Sequence, residues 1–307
     1  MCLGTMMFGG RCDEAESARV LDTAVAQGVT FIDTAASYGK GVTEVILGRI
    51  MQGKRQQLFL GTKVTRTTDA EWVRESLDES LTRLQTDYVD LYMIHWPRKK
   101  MQIEPMMAAL NDAVVAGKAR FIGCCNFPAW LFAHCNAIAT RNGWAQLISN
   151  QIPYSLIERG VEVEVIPQAV AEKVAITTYR TLCLGLLAGK YHPDRPIPED
   201  SRGLTDKRVH LWLEKHADAL RGFNALAAER NLHPAQLAVA WVRHSEGIAA
   251  PIVGVSSERQ LQASIDAFDV TFSAEEYTQL TDLFAETAVK EESGGNFANL
   301  RRVTTLV

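Results

Sequence analysis

Asp33 closes a short apolar run, Phe31-Ile32-Asp33, and Tyr38 follows five positions later, directly before Gly39. Lys63 ends a second apolar run, Leu58–Lys63, and His95 ends a third, Val89–His95. An acid, a phenol, an amine and an imidazole are the parts of a proton-donating device. When hydride reduces a carbonyl, the alkoxide that forms needs a proton. A tyrosine, with a pKa ordinarily near 10, can give it if a neighbouring cation stabilises the phenolate. In this reading Lys63 lowers the pKa of Tyr38, and Asp33 holds Lys63 through a charge-assisted hydrogen bond. His95 supplies a second donor to the carbonyl oxygen and orients the substrate. Singly, each has a plainer role. Asp33 could cap a turn, Lys63 could be a surface charge, Tyr38 a half-buried aromatic and His95 a packed ring before Trp96-Pro97. The four together sit at or just past the ends of three successive apolar runs, and that pattern needs an architecture to explain it.

The chain alternates short apolar runs with amphipathic stretches, which predicts eight strands, each followed by a helix. Strands are expected at Cys2–Phe8, Thr30–Asp33, Leu58–Lys63, Tyr88–His95, Ala119–Cys124, Gln146–Asn150, Val174–Tyr179 and Ile248–Val253. Their nearly continuous apolar character suits a parallel sheet covered on both faces. Eight such units favour a closed (β/α)₈ TIM barrel over an open sheet, and no G-x-G-x-x-G follows an early strand. Barrels of this kind carry their chemistry at the C-terminal ends of the strands. All 307 residues are read as a single domain. The segment Leu182–His216 after strand seven is read as irregular, and its part Tyr191–Arg208, rich in proline and charge, as a lid. A last helix near Ser273–Phe284 and the polar tail after it are expected over the mouth.

A formal charge of −4 gives no sign of a nucleic-acid footprint. No apolar run approaches the ~20 residues of a membrane span, and no secretion signal opens the chain. The six cysteines show neither metal spacing nor disulfide density, and read as buried reduced thiols of a cytoplasmic protein. Nothing in the sequence sets an oligomeric state.

With these residues in view, the chain resembles the aldo-keto reductase superfamily. The likeness is carried by Phe31–Gly39, Gly61-Thr62-Lys63, Asp90–Pro97, Ile122–Phe127, Asn150–Leu156, Gly185–Tyr191 and Pro251–Ser256, in order along almost the whole chain. The branch most similar includes bacterial aldehyde reductases and the β subunits of voltage-gated potassium channels. The resemblance implies a barrel binding NADPH across its mouth, with NADH as the alternative cofactor and a small carbonyl compound as substrate. It implies Tyr38 as proton donor, tuned by Lys63 and Asp33, with His95 positioning the carbonyl. Asn126 and Gln151 would bond the nicotinamide carboxamide, Tyr179 would stack on its ring, and Gly4, Thr5 and Met6 would line the cofactor's path. Arg180, Thr181, Leu182, Lys190 and Arg202 would embrace the phosphates, and Gly254, Ser256 and Gln260 the adenosine 2′-phosphate end.

The chain also departs from the family pattern. Cys125, which the resemblance places among the cofactor contacts, stands where serine is usual before the asparagine, and Arg180-Thr181 where Ser-Pro is usual. Ala263 and Ser264 replace a usual Glu and Asn. The alternative function, also implied by resemblance, is an NADP(H)-binding redox-sensing or regulatory subunit with little turnover. His95 counts against it, because the channel subunits lack that histidine. By position alone, Met7, Trp96 and Trp130 are candidate walls of a substrate pocket.

Overall fold

The computed structural model describes residues 1–199 and 201–286. Its strands are β1 (Cys2–Gly4), β2 (Phe31–Asp33), β3 (Phe59–Val64), β4 (Val89–Ile94), β5 (Ala119–Cys125), β6 (Leu147–Pro153), β7 (Ala175–Tyr179) and β8 (Ile248–Gly254). All neighbours pair in parallel, and β1 pairs with β8, so the sheet closes into a barrel in sequence order. The helices between strands are α1 (Glu14–Ala26), α2 (Val42–Ile50), α3 (Ala70–Leu84), α4 (Ile103–Val115), α5 (Ala129–Asn142) and α6 (Val165–Glu172). After β7 come α7 (Lys207–Lys215), α8 (Ala217–Glu229) and α9 (Pro234–His244); after β8 come α10 (Glu258–Asp266) and α11 (Ala274–Asp282). The expected (β/α)₈ barrel is the observed one.

Strand periodicity decides which side chains reach the centre. Alternate residues point to opposite faces, and Ile32, Leu60, Tyr92 and Ile94 join the large apolar cluster packed under α1–α5. The other parity therefore faces inward. Phe31, Phe59, Leu91, Met93 and Cys125 pack together inside the barrel, beside a small cluster of Cys2, Ala250 and Ile252. Following the inward parity upward gives Asp33 above Phe31, Lys63 above Gly61 and His95 above Met93. The barrel's apolar plug thus ends in a polar layer at its C-terminal mouth. A second large cluster, from Ile152 to Phe284, packs β6, β7 and helices α6, α8, α9 and α11.

Local chemistry sets the helix ends. Asp13 accepts a hydrogen bond from the Glu16 amide, and Ser257 from the Gln260 amide. His233 and Gln236 form a capping box, with Pro234 at the first position of α9. Outside the barrel wall, Thr62 donates to Glu44 of α2 at 2.6 Å, and Arg83 of α3 donates to the same carboxylate at 2.7 Å. These two helices lie so close that a Cβ on Gly48 would sit 2.4 Å from the Arg83 carbonyl oxygen.

Five expectations are corrected. β1 ends at Gly4 rather than at Phe8, because the Thr5 amide and hydroxyl both bond the Asp33 carbonyl and Phe8 N turns back to Thr5 O. β6 runs on to Pro153, past the expected end at Asn150. The Leu182–His216 segment is not wholly irregular, since it contains α7, capped by Asp206. The expected lid is pinned to the outer ring. Tyr191 is buried and accepts from Gly203 N at 3.0 Å, and Asp194 pairs with Arg221 of α8. The terminal helix α11 packs against α9, its Tyr277 stacked on Trp241 at 5.7 Å, and lines no part of the central cavity. The tail after Glu286 lies outside the described residues. No helix among the described residues is long and apolar enough to cross a membrane.

Candidate active site

The polar layer at the mouth is a single hydrogen-bonded unit. Lys63 is completely buried, and its ammonium donates to Asp33 Oδ2 at 2.7 Å and to the Thr34 carbonyl at 2.8 Å. It also reaches the Tyr38 hydroxyl at 3.4 Å, so an ammonium ion and a phenol oxygen share one enclosed space. Asp33 Oδ1, also 2.7 Å from the ammonium, accepts from Gln151 Nε2 at 2.8 Å. Tyr38 reaches this position because the chain after β2 makes a tight turn, with left-handed Gly39 and Lys40. The His95 ring stands edge-on to Tyr38, centroids 6.1 Å apart. Its main chain is fixed twice, by its amide to Val64 O and by Asn126 Nδ2 to its carbonyl.

The electrostatics correct one expectation. Lys63 does pull the Tyr38 pKa down, but burial outweighs it and pushes the phenol up to about 12. Tyr38 is therefore neutral and holds its proton at ordinary pH. Burial works against the Lys63 ammonium, but Asp33, with help from Tyr38, lifts its pKa above the usual lysine value. Burial also drives His95 down to about 3, with Lys63 and Arg98 adding to the effect, so its imidazole is neutral. The site has one cation, one carboxylate and two neutral proton-bearing rings.

Above this unit lies a cavity of 330 Å³. Asp33, Tyr38, His95 and Trp96 form one side of it, and Asn126, Gln151 and Tyr179 the next. Gly4, Met6, Met7, Arg180, Leu184, Ile252 and Gly254 complete it. The Tyr179 hydroxyl donates to Asn126 Oδ1 at 2.7 Å, which fixes that amide's orientation. A flat heteroaromatic amide finds side-chain amides and a phenol ring here, next to Tyr38 and His95. On the β1–β8 seam, Gly4 pairs with Gly254. A Cβ on Gly254 would meet only the Gly4 carbonyl, at 3.9 Å, so the missing side chain is what keeps this rim open. The residues present fit a nicotinamide cofactor.

Other expected contacts sit elsewhere. Thr5 lies behind the wall on the Asp33 carbonyl, and Cys125 is buried against Met93. Thr181 is buried, Leu182 packs into the apolar clusters and Lys190 is exposed; none of the three lines the cavity. Ser256 and Gln260 bond each other at the start of α10, Gln260 Oε1 accepting from the Ser256 amide and hydroxyl. The Arg202 side chain is outside the described residues. Met7 and Trp96 line the cavity as expected of walls, whereas Trp130 is an exposed residue of α5. Sequence reading missed Leu184 and Ile252 as walls, and also Glu158, the buried partner of Arg180 at 2.9 Å. Burial raises the Glu158 pKa while Arg180 opposes it. No local signal marks that pair, since folding alone joins the loops after β6 and β7.

Comparison with known proteins decides the lineage, because residues 1–285 match the Aldo/keto reductase family. The chain belongs to that family. Among its relatives are YrpG, an uncharacterized oxidoreductase of Bacillus subtilis, and YhdN, an aldo-keto reductase of the same organism. They are 33% identical, covering 92% of this chain and 91% of the relative, and 32% identical, covering 96% and 91%. Among solved structures, the glycerol dehydrogenase of Gluconobacter oxydans superposes with a TM-score of 0.82 at 28% identity, covering 96% of this chain and 94% of that one. The aldo-keto reductase chain is thus an oxidoreductase by family, and its polar layer lies where a barrel of this kind works.

Proposed function

We propose that this aldo-keto reductase reduces an aldehyde or ketone to the alcohol with NADPH, Tyr38 delivering the proton. The observation that carries this reading is the Tyr38 hydroxyl held 3.4 Å from the buried Lys63 ammonium, at the wall of a cavity shared with His95. Similar proteins named as a glycerol dehydrogenase, an oxidoreductase and an aldo-keto reductase support it.

Bound NADPH supplies the hydride. The protein's own residues do the rest. Tyr38 keeps its proton until the substrate oxygen becomes basic enough to take it, because burial disfavours the phenolate before then. Once the proton leaves, the Lys63 ammonium lies beside the phenolate oxygen and stabilises it in a water-poor site. Asp33 keeps Lys63 charged and in place, while Gln151 occupies the second oxygen of Asp33 and stops the carboxylate from swinging away. Neutral His95 donates an N–H to the carbonyl oxygen and polarises it. Asn126, Gln151 and Tyr179 would hold the nicotinamide end, and Arg180, at the rim with Gly254, would pair with the phosphates. The preference for NADPH over NADH rests on the resemblance of the Gly254–Gln260 segment. The unpaired cysteines fit a cytoplasmic location.

The test is loss of NADPH absorbance with an activated aromatic aldehyde, for the native enzyme and for Tyr38→Phe. Aldehyde-dependent consumption by the native protein, cut to a small residue in the variant, is the expected outcome. No consumption of NADPH or NADH with any aldehyde or ketone, or full turnover in the variant, would sink the reading.

A further inference from the structure

A second, more open groove of 530 Å³ adjoins the central cavity, and the two share His95 and Trp96. Its walls come from the segments after β2, β3 and β4 and from α3. Lys40, Arg66 and Arg98 line it, each two or three residues beyond a member of the catalytic group. A fourth cation, Arg83, is already satisfied by Glu44 at 2.7 Å and by Glu79 at 3.2 Å. Glu79 is the one carboxylate among the lining residues, and it is turned to Arg83. Lys40, Arg66 and Arg98, by contrast, pair with no carboxylate among the described residues.

The arrangement is built into the fold. Lys40 and Arg66 adopt left-handed backbone conformations, at φ 57° and 70°, which residues with side chains seldom do. Such turns persist where the surrounding structure enforces them, and they cluster at ligand sites. The Arg66 guanidinium lies 4.8 Å over the Trp72 ring, and Trp72 Nε1 in turn donates to the Thr65 carbonyl at 2.6 Å. Trp96 stacks beside His95 at 6.2 Å, so an aromatic wall leads from the carbonyl position into the groove. Arg180, Leu184, Ile252 and Gly254, at the other end of the central cavity, contribute nothing to it. An anion held there would belong to the substrate and not to the cofactor. The chain carries a formal charge of −4, so this cationic patch opposes its overall sign and concentrates anions at the mouth.

We propose that the groove binds an anionic group on the substrate, so that the preferred substrates are carbonyl compounds bearing a carboxylate or phosphate away from the reacting carbon. Arg66 and Arg98 supply planar forks suited to either group, and Lys40 adds a point charge. This inference rests on the carbonyl-reductase reading, and the test separates the two.

Matched substrates decide it: benzaldehyde against its para-carboxylate, and glycolaldehyde against glycolaldehyde phosphate. The ratio of kcat/KM, anionic over neutral, is expected to be about tenfold or more at low salt, as three exposed charge contacts would give. It should approach one in molar salt and fall toward one in the double variant Arg66→Gln/Arg98→Gln, where Lys40 alone remains. Preference within the first pair alone assigns a carboxylate, and within the second alone a phosphate. Ratios near one in both pairs, or ratios indifferent to the double variant, overturn the proposal. A titration of tryptophan fluorescence with terephthalate or inorganic phosphate, with Trp72→Phe to assign the signal, needs no turnover. If no aldehyde is reduced, the reductase reading fails and this titration decides the anion site alone. Salt-sensitive quenching that the double variant loses supports it, and its absence overturns it.

Discussion

Replacing Tyr38 by Phe removes one oxygen from a site whose other members stay satisfied by one another. Lys63 keeps Asp33 and the Thr34 carbonyl as partners, so the pocket should hold its shape. The expected result is a fall in kcat of about 10²-fold or more, with cofactor Kd, measured by calorimetry, changed less than about twofold. The acid–base groups also predict a flat pH profile. With His95 near 3 and Tyr38 near 12, kcat/KM should show no inflection from either group between about pH 5 and 9. The same shift ties stability to pH. Below the ordinary histidine value of 6.5 the unfolded chain takes up a proton that native His95 refuses until about 3. Stability from this group is full above that ordinary value and is lost as pH falls toward the native one. In His95→Gln, the decline of Tm over that window should be shallower than in the native protein. The identities of these residues were legible in the sequence, because each ends or follows an apolar run. The sign of the Tyr38 shift was not, since the enclosure that outweighs Lys63 exists only in the folded barrel.

Strands and helices were legible to the extent that their burial was regular. β3 and β4 alternate between barrel interior and helix layer, and their inward parity carries Lys63 and His95 to the mouth. α7 (Lys207–Lys215) is hard to read although Val209, Trp212 and Leu213 stand at helical spacing and pack on the second core cluster, because it is only nine residues long and follows a run rich in proline and charge. β1 was overestimated for the opposite reason, an apolar run that continues after its backbone has turned to Asp33. Two glycine substitutions test the elements. Gly48→Ala would drive a methyl group against the Arg83 carbonyl and prise α2 from α3, stretching the Thr62–Glu44–Arg83 connection. A loss of about 1–3 kcal/mol is expected, read as a Tm lower by several degrees. In Gly254→Val the Cβ finds only the Gly4 carbonyl, at an ordinary 3.9 Å, so circular dichroism should report an intact fold. The new side chain would narrow the seam beside Gly4, and cofactor Kd should rise by about tenfold, which a calorimetric titration would register.

The whole molecule holds its six thiols out of reach. All six cysteines are buried and unpaired, and burial raises the pKa of each. A thiol reacts as its thiolate, so an aromatic disulfide reagent should label the native protein slowly and all six sites after unfolding. Tm should be the same with and without reductant. Rapid labelling of several thiols in the native state would contradict the burial found here. Their burial is the plain expectation for cysteines of a packed core. Contacts such as Arg180–Glu158 were not legible in the sequence, because the two loops that supply them meet only when the barrel closes.

The hydrogen bond from Gln151 to Asp33 joins β6 to β2, and these strands stand four places apart in a ring of eight. It is a tie-beam across the full bore of the barrel, laid just under the reacting groups. Beneath it come Phe31, Phe59 and Met93, so the bore is closed from that level down. The site is a blind well with its machinery on the floor. For the reaction proposed above, a substrate would enter carbonyl-first, whatever it carries behind would trail toward the opening, and selection among substrates would fall to the part that never reaches the bottom.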